Sequence, residues 1–216
     1  MQLDLHIHTG RYSGCSNIDP LQVIGRAVEA GLDGIALTEH GIRWSDQDIE
    51  ELIRRSGHSD FIVIPGQENA CYSPQGRFQG EFLVYGYPVS LGSNKSVEQL
   101  IEMVHGEGGV VVAAHPFKRQ QGSDDYYGSG PSTVDLQIDG LEIEHPSYDE
   151  SGRRLAAEIM DRMGIAGLGN SDAHDLRDIG ICRTHFEKPV SDVYSLCEEI
   201  RAGRLRAVNM MGKTGT

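Results

Sequence analysis

Polar and apolar positions alternate from the start of the chain. In residues 3–16, LDLHIHTGRYSGCS, Asp4, His6 and His8 interleave with Leu3, Leu5 and Ile7. Successive side chains of a strand leave by opposite faces, so the pattern predicts a strand over 3–7 with three polar groups on one face. Apolar runs predict further strands at 34–38, 61–65, 81–86, 109–114, 140–144 and 164–169. Helical periodicity lies between most of them. Asp19 and Pro20 open a helix that buries Leu21, Ile24, Ala27 and Val28 and closes at Gly31. A second helix starts at Ser45 and buries Ile49, Leu52 and Ile53, and others cover 96–106, 150–163 and 191–202.

Strands alternating with helices across short glycine-containing connections predict a parallel α/β domain. Ligand-type residues recur at or just past the strand C-termini, where a βα barrel carries its active site, so the barrel is favoured over an open sheet. Residues 118–133, KRQQGSDDYYGSGPST, predict a surface loop near the mouth of the site. No repeat or linker interrupts the pattern, and residues 1–216 read as one domain.

Composition narrows the partners. The chain has 32 acidic and 19 basic residues and a formal charge of −13. That balance argues against tracking a nucleic-acid backbone, which needs clustered Lys and Arg, though it leaves short single strands open. It does not argue against an anionic substrate, because bound divalent cations reverse the local sign. No segment reads as a signal peptide or a membrane span. Cys15, Cys71, Cys182 and Cys197 show no CxxC spacing and read mostly as buried thiols, which points to the cytoplasm. The GKTGT run at 212–216 lacks the first glycine of a phosphate-binding loop, since Ala207 stands in its place.

An isolated HxH pair is more often structural than metal-binding, but here the pattern recurs. LTEH supplies Glu39 and His40 after the second strand, PGQE supplies Glu68 after the third, AAHP supplies His115, and GNSDAH supplies Asp172 and His174. Imidazoles and carboxylates gathered at strand ends suit Zn, Mn or Fe, with carboxylates able to bridge two ions.

HIHT (6–9), TEH (38–40), PGQE (65–68), AHP (114–116) and SDAH (171–174) together resemble the ordered motifs of the PHP (polymerase and histidinol phosphatase) family over nearly the whole chain. The resemblance implies a distorted (β/α)7 TIM-like barrel, two or three divalent metal ions, and hydrolysis of phosphoesters. It further implies that His6 and His8 hold one ion with Glu68 and Asp172. Glu68 would then bridge to a second ion bound by His115, and His40 and His174 would serve a third. Glu81 stands where many members have His and is expected to ligate. Where many members follow HxHT with Tyr-Ser-Asp, this chain has RYSGCS. Cys15 or Ser13 could replace that carboxylate, although a buried structural thiol is the expected reading of Cys15. Asp4 is expected to hydrogen-bond a ligand histidine.

The implied reaction is hydrolysis of a small phosphorylated metabolite or nucleotide by a metal-bound hydroxide, with Asp172 taking the water's proton and His174 protonating the leaving group. Arg11, Lys118 and Arg119 are candidate phosphate contacts. Glu142 and His145 are candidate site-wall residues, and Trp44 and Tyr12 either line the mouth or pack. Two other readings remain: a metal-dependent C–N hydrolase on the same barrel, and a non-catalytic metal-binding module.

Overall fold

The computed structural model describes residues 1–123 and 125–211, so the GKTGT run lies outside the described residues. Among the described residues nine strands form one sheet: β1 (Gln2–Ile7), β2 (Gly34–Leu37), β3 (Ile62–Tyr72), β4 (Phe78–Tyr85), β5 (Val110–Ala113), β6 (Gly140–Glu144), β7 (Ala166–Gly169), β8 (Cys182–Phe186) and β9 (Leu205–Asn209). The five predicted helices are present as α1 (Pro20–Glu29), α2 (Asp46–Ser56), α3 (Val97–Gly106), α4 (Glu150–Met163) and α5 (Val193–Arg201), although α1 buries Val23, Ile24 and Ala27 and leaves Leu21 and Val28 exposed. Asp19 and Ser45 cap α1 and α2 as their positions predict, accepting bonds from Leu21 N and Asp48 N.

The strand order β7-β6-β5-β4-β3-β2-β1-β8-β9 curls into a distorted TIM-like barrel. Its rim closes where the chain leaving β7 meets β1. His8 N donates to Ala173 O at 3.0 Å, and Ala173 N donates to His6 O at 3.2 Å. Lower down, β9 lies against β7 without a ladder between them among the described residues. Gly169 makes that approach possible, since a Cβ there would lie 2.7 Å from Arg183 O and 3.1 Å from Val208 N. Gly169→Ala should therefore lower stability by about 1–3 kcal/mol, the usual cost of overpacking, read from urea denaturation midpoints.

Three features depart from the sequence reading. The sheet is not all parallel, because β3, β4 and β5 pair antiparallel and the predicted 61–65 strand runs on to Tyr72. Glu68 thus sits inside a strand, opposite Leu83, rather than in a loop. The apolar runs of β8 and β9 are too short and mixed to signal strands, and they form by antiparallel pairing at the β1 edge. Third, the alternation in β1 breaks. Its register with β2 slips between Asp4 and Ile7, and Leu5 N donates to the Asn170 side chain. Leu3 and Leu5 pack in the barrel interior with Ile64, Leu83 and Leu168, whereas Ile7 packs outward with Ile24 and Ala27 of α1. The three aliphatic residues therefore do not share a face. Such an irregularity re-aims the side chains that follow it, and here it separates Asp4 from His6 and His8.

Candidate metal centre

The rim of the barrel gathers the side chains of the predicted motifs, all but His40, Asp172 and His174 being buried. His6 Nε2 and His8 Nε2 face each other at 3.0 Å. Glu68 lies between four imidazoles: Oε1 is 3.2 Å from His6 Nε2 and 3.1 Å from His115 Nε2. Its Oε2 is 3.4 Å from His8 Nε2 and 3.0 Å from His40 Nδ1. Asp172 Oδ1 is 3.4 and 3.5 Å from His6 and His8, and its Oδ2 is 3.9 Å from His115. Glu81 Oε2 stands 3.6 Å from His115 Nε2. Hence His6, His8, His40, Glu68, Glu81, His115 and Asp172 come together, and His174 Nδ1 joins them 3.6 Å from Asp172 Oδ1.

The histidines are oriented from behind. His6 Nδ1 donates to buried Glu142 Oε1 at 3.0 Å, leaving Nε2 with its lone pair inward. His8 Nδ1 meets Ser13 Oγ at 3.3 Å, and that hydroxyl donates to Glu39 at 2.5 Å. Glu39 also accepts from Thr9 and from Trp44 Nε1 at 2.9 Å, so Trp44 is a packed anchor rather than a wall of the mouth. The role expected of Asp4 falls to Glu142. Asp4 instead accepts from Ser171 N, Ser171 Oγ and Gly180 N, fixing the segment that carries Asp172. Burial outweighs these bonds and raises Asp4 to about 6.

Two rim residues carry backbone strain. Among the described residues, His115 and Asp172 are the non-glycine residues with positive φ, 29° and 51°. Such conformations cost of order 1–3 kcal/mol each and persist where surrounding contacts over-determine them.

Charges in the cluster are mutually held. Burial works against ionising Glu68 and Asp172, yet the neighbouring imidazoles keep both well below the carboxylate range. Burial likewise opposes protonating His8, but its bonds to Asp172 and Glu68 raise it to about 9. Two ring nitrogens 3.0 Å apart, ringed by carboxylates, need a proton or a cation between them. The donor set of imidazole nitrogen and carboxylate oxygen fits a divalent metal.

A testable consequence is that uptake of Zn or Mn at pH 7 should release protons, read by calorimetry in buffers of different ionisation enthalpy. Affinity should rise with pH until His8 has lost its proton near pH 9. In the metal-free protein the sign reverses. Protonated His8 stabilises the fold fully below its ordinary value of 6.5, and that contribution disappears as pH rises through about 9.

Lys118, Arg119, Gln120, Gln121 and Tyr127 form one wall of a cavity of about 690 Å³ that opens onto the cluster, so the predicted mouth loop is in place. Lys118 Nζ reaches Asp172 Oδ2 at 3.0 Å. Arg119 stacks over Tyr126 and pairs with Asp149 at 3.7 Å. Arg11 is not brought to the site. It bonds Asp48 at 2.8 Å, lies over Tyr12 and Trp44, and lines a separate small cavity. Cys15 is also placed otherwise than expected: it is exposed and lines the main cavity, while the other three thiols are buried.

The residues undervalued from sequence are Glu142 and His145. His145 Nδ1 accepts from Ser147 N, so its proton sits on Nε2, which is buried, lacks a hydrogen-bond partner and points to Asp172 Oδ2 at 3.5 Å. The signal available for both was the strand-end motif GLEIEHP.

Comparison with known proteins now has a geometry to rest on. A family model described as PHP-associated matches residues 150–205, which span α4, β7, β8 and α5. The whole barrel superposes on a Bifidobacterium adolescentis protein described as a candidate metal-dependent phosphoesterase, with a TM-score of 0.66, 17% identity and coverage of 97% of this chain and 98% of that one. The chain is thus similar to PHP-associated sequences over residues 150–205 and shares its fold with PHP-like proteins. A two-domain Bacteroides vulgatus protein containing a PHP-like domain matches with a TM-score of 0.67 and 17% identity over 97% of this chain and 64% of its own. In sequence, the chain is 28% identical to the uncharacterized protein MJ1587 of Methanocaldococcus jannaschii over 66% of this chain and 81% of the relative. The fold also matches an amidohydrolase of Chromobacterium violaceum (TM-score 0.62, 16% identity, 95% and 98% covered). It matches a lesion-specific endonuclease of Pyrococcus furiosus as well (TM-score 0.56, 19% identity, 95% and 57% covered). The barrel is therefore shared by proteins of differently described activities and does not choose among them.

Proposed function

We propose that the protein is a metal-dependent phosphoesterase acting on a small phosphorylated metabolite or nucleotide, with His6, His8, His40, Glu68, Glu81, His115, Asp172 and His174 as the ligand set. The observation that carries this reading is the Lys118 ammonium on the cavity wall, 3.0 Å from Asp172 at the edge of the cluster. A phosphoryl group brings negative oxygens that match a cation set there, whereas a neutral amide does not.

Divalent cations in the cluster would supply Lewis acidity and a nucleophile at neutral pH. The remaining work belongs to the chain. Burial opposes charge on Lys118, but Asp172 raises its pKa, so the ammonium persists and can bind a non-bridging phosphoryl oxygen. Arg119 extends the same wall with a planar, doubly donating group. Asp172, held between Lys118 and His145, is oriented to present Oδ1 to the cluster.

His174 changes role. Its Nδ1 donates to Asp172 O at 2.9 Å, leaving a lone pair on Nε2. Burial and the nearby His8 charge lower its pKa, so ligation suits it better than giving a proton to a leaving group. Arg11 drops out of the proposed substrate contacts, since it lines a separate cavity and not the one that opens onto the cluster.

The test is to load the protein with Mn or Zn, count the metal, and screen phosphomonoesters, phosphodiesters and amides. Phosphate release is expected from a small monoester or nucleotide. Stoichiometric metal with turnover of amides only would overturn the reading in favour of C–N hydrolysis. Lys118→Ala should raise KM for the phosphoester by roughly 10-fold or more, the scale of a lost charge-assisted bond, with metal content unchanged. An unchanged KM would remove Lys118 from the phosphate site.

A further inference from the structure

The mouth side of the cluster is rich in imidazole. One ring nitrogen from each of His8, His40 and His174 lies within 4.8 Å of the other two. The His8 ring is 4.4 Å from that of His40 and 4.5 Å from that of His174. Cys15 stands beside this group, with Sγ 3.3 Å from His40 Nε2, and lines the cavity together with His40 and His174.

The loop around Cys15 is tied to the same histidines. Ser13 bonds His8 and Glu39 through its hydroxyl. Ser16 Oγ donates to His8 O at 2.8 Å and contacts His174 O at 3.2 Å. Asn17 N donates to His174 O at 2.9 Å. Residues on both sides of Cys15 thus hold its backbone against the strand ends that carry the imidazoles. Ser13, the other candidate for the missing carboxylate position, is buried and already engaged by Glu39.

We propose that Cys15 is a metal ligand, forming with His40 and His174 a cation position of imidazole and thiolate donors at the mouth of the centre. Coordination would break the S–H bond, release the proton to solvent and form a sulfur–metal bond, with no change of oxidation state. Thiolate favours Zn over the harder Mn and Mg, so this position should differ in metal preference from the carboxylate-rich interior. The inference rests on reading the cluster as a metal centre and is independent of which bond the enzyme cleaves.

Cobalt(II) tests it without relying on activity. Metal-stripped wild type, Cys15→Ser and Cys15→Asp would be loaded with Co(II), the bound cobalt counted, and near-ultraviolet spectra recorded. Wild type is expected to show a sulfur-to-cobalt charge-transfer band that both variants lose. Cys15→Asp should retain the cobalt content of wild type, with competition between Zn and Mn shifted toward Mn. Zn should also slow alkylation of Cys15 by iodoacetamide in native wild type, where the other thiols are buried. Cobalt-loaded wild type without the band, or a band that survives in Cys15→Ser, would overturn this inference alone. Failure of the wild type to bind cobalt at all would overturn the metal-centre reading with it.

Discussion

Glu68→Ala should lose tight cation binding and any metal-dependent hydrolysis with it. Its two oxygens lie 3.0–3.4 Å from ring nitrogens of four imidazoles, those of His6, His8, His40 and His115. Removing it leaves four ring systems facing one another with Asp172 as the main remaining charge. Breaking a buried charge network by deleting one partner costs roughly 3–5 kcal/mol, so the metal-free variant should also melt earlier. Glu68→Gln separates these effects, because it preserves the side-chain shape while removing the negative charge. Metal content by elemental analysis decides the matter. Wild-type stoichiometry in Glu68→Ala would mean that the cluster is not organised around this residue.

The second large effect is expected at Glu142, which faces away from the cavity. It is fully buried and ionised. Burial pushes it up, but the charge of His6 and the bond to it bring it down to about 2, from an ordinary 4.5. Its neighbours all donate into it: His6 Nδ1 at 3.0 Å, His115 N at 2.6 Å and Asn170 Nδ2 at 2.9 Å. Alanine would leave three buried donors without an acceptor, and glutamine would turn an amide N–H toward at least one of them. Glu142→Ala should therefore lose about 3–5 kcal/mol of stability. It should also bind metal roughly 10–100-fold more weakly, because the His6 ring is no longer held in its ligating tautomer. Since its folded pKa is depressed, the stabilisation from Glu142 is fully present above 4.5 and is lost as pH falls through about 2. Denaturant titration and competitive metal binding would read the two effects separately. A variant with wild-type affinity would show that the Nδ1 bond does not matter to the centre.

The helices and the ligand motifs were legible because their signals are local. Asp19-Pro20 and Ser45 mark helix starts by their own capping chemistry, and HIHT or SDAH can be read within four residues. What escaped depends on distant partners. The slip in β1 arises where Leu5 N turns to Asn170, 165 positions away, and no pattern within residues 3–8 announces it. The β3–β4 hairpin forms because residues 66–72 pair with 78–85, although GQENACY has little aliphatic character. Glu142 and Glu144 alternate in the same short strand, yet one is a buried buttress and the other bonds Asn209. Sequence spacing distinguishes neither their burial nor the donors that surround Glu142. Cys15 was misread for a related reason: cysteines are usually buried, and only the anchoring of Ser13 and Ser16 turns this one toward the cavity.

The backbone bridge between Ile7 and Ala173 also sets an order of events. It joins the first motif to the last across about three-quarters of the chain. The closure entropy of such a loop is spent before the contact rewards it, which slows folding. A fragment ending before residue 170 would contain His6, His8, His40, Glu68 and His115 but neither Asp172 nor the strand that squares β1 against it. Such a fragment should have no high-affinity site. Cation uptake during refolding would then serve as a clock for barrel closure, starting only when the two ends of the chain have met.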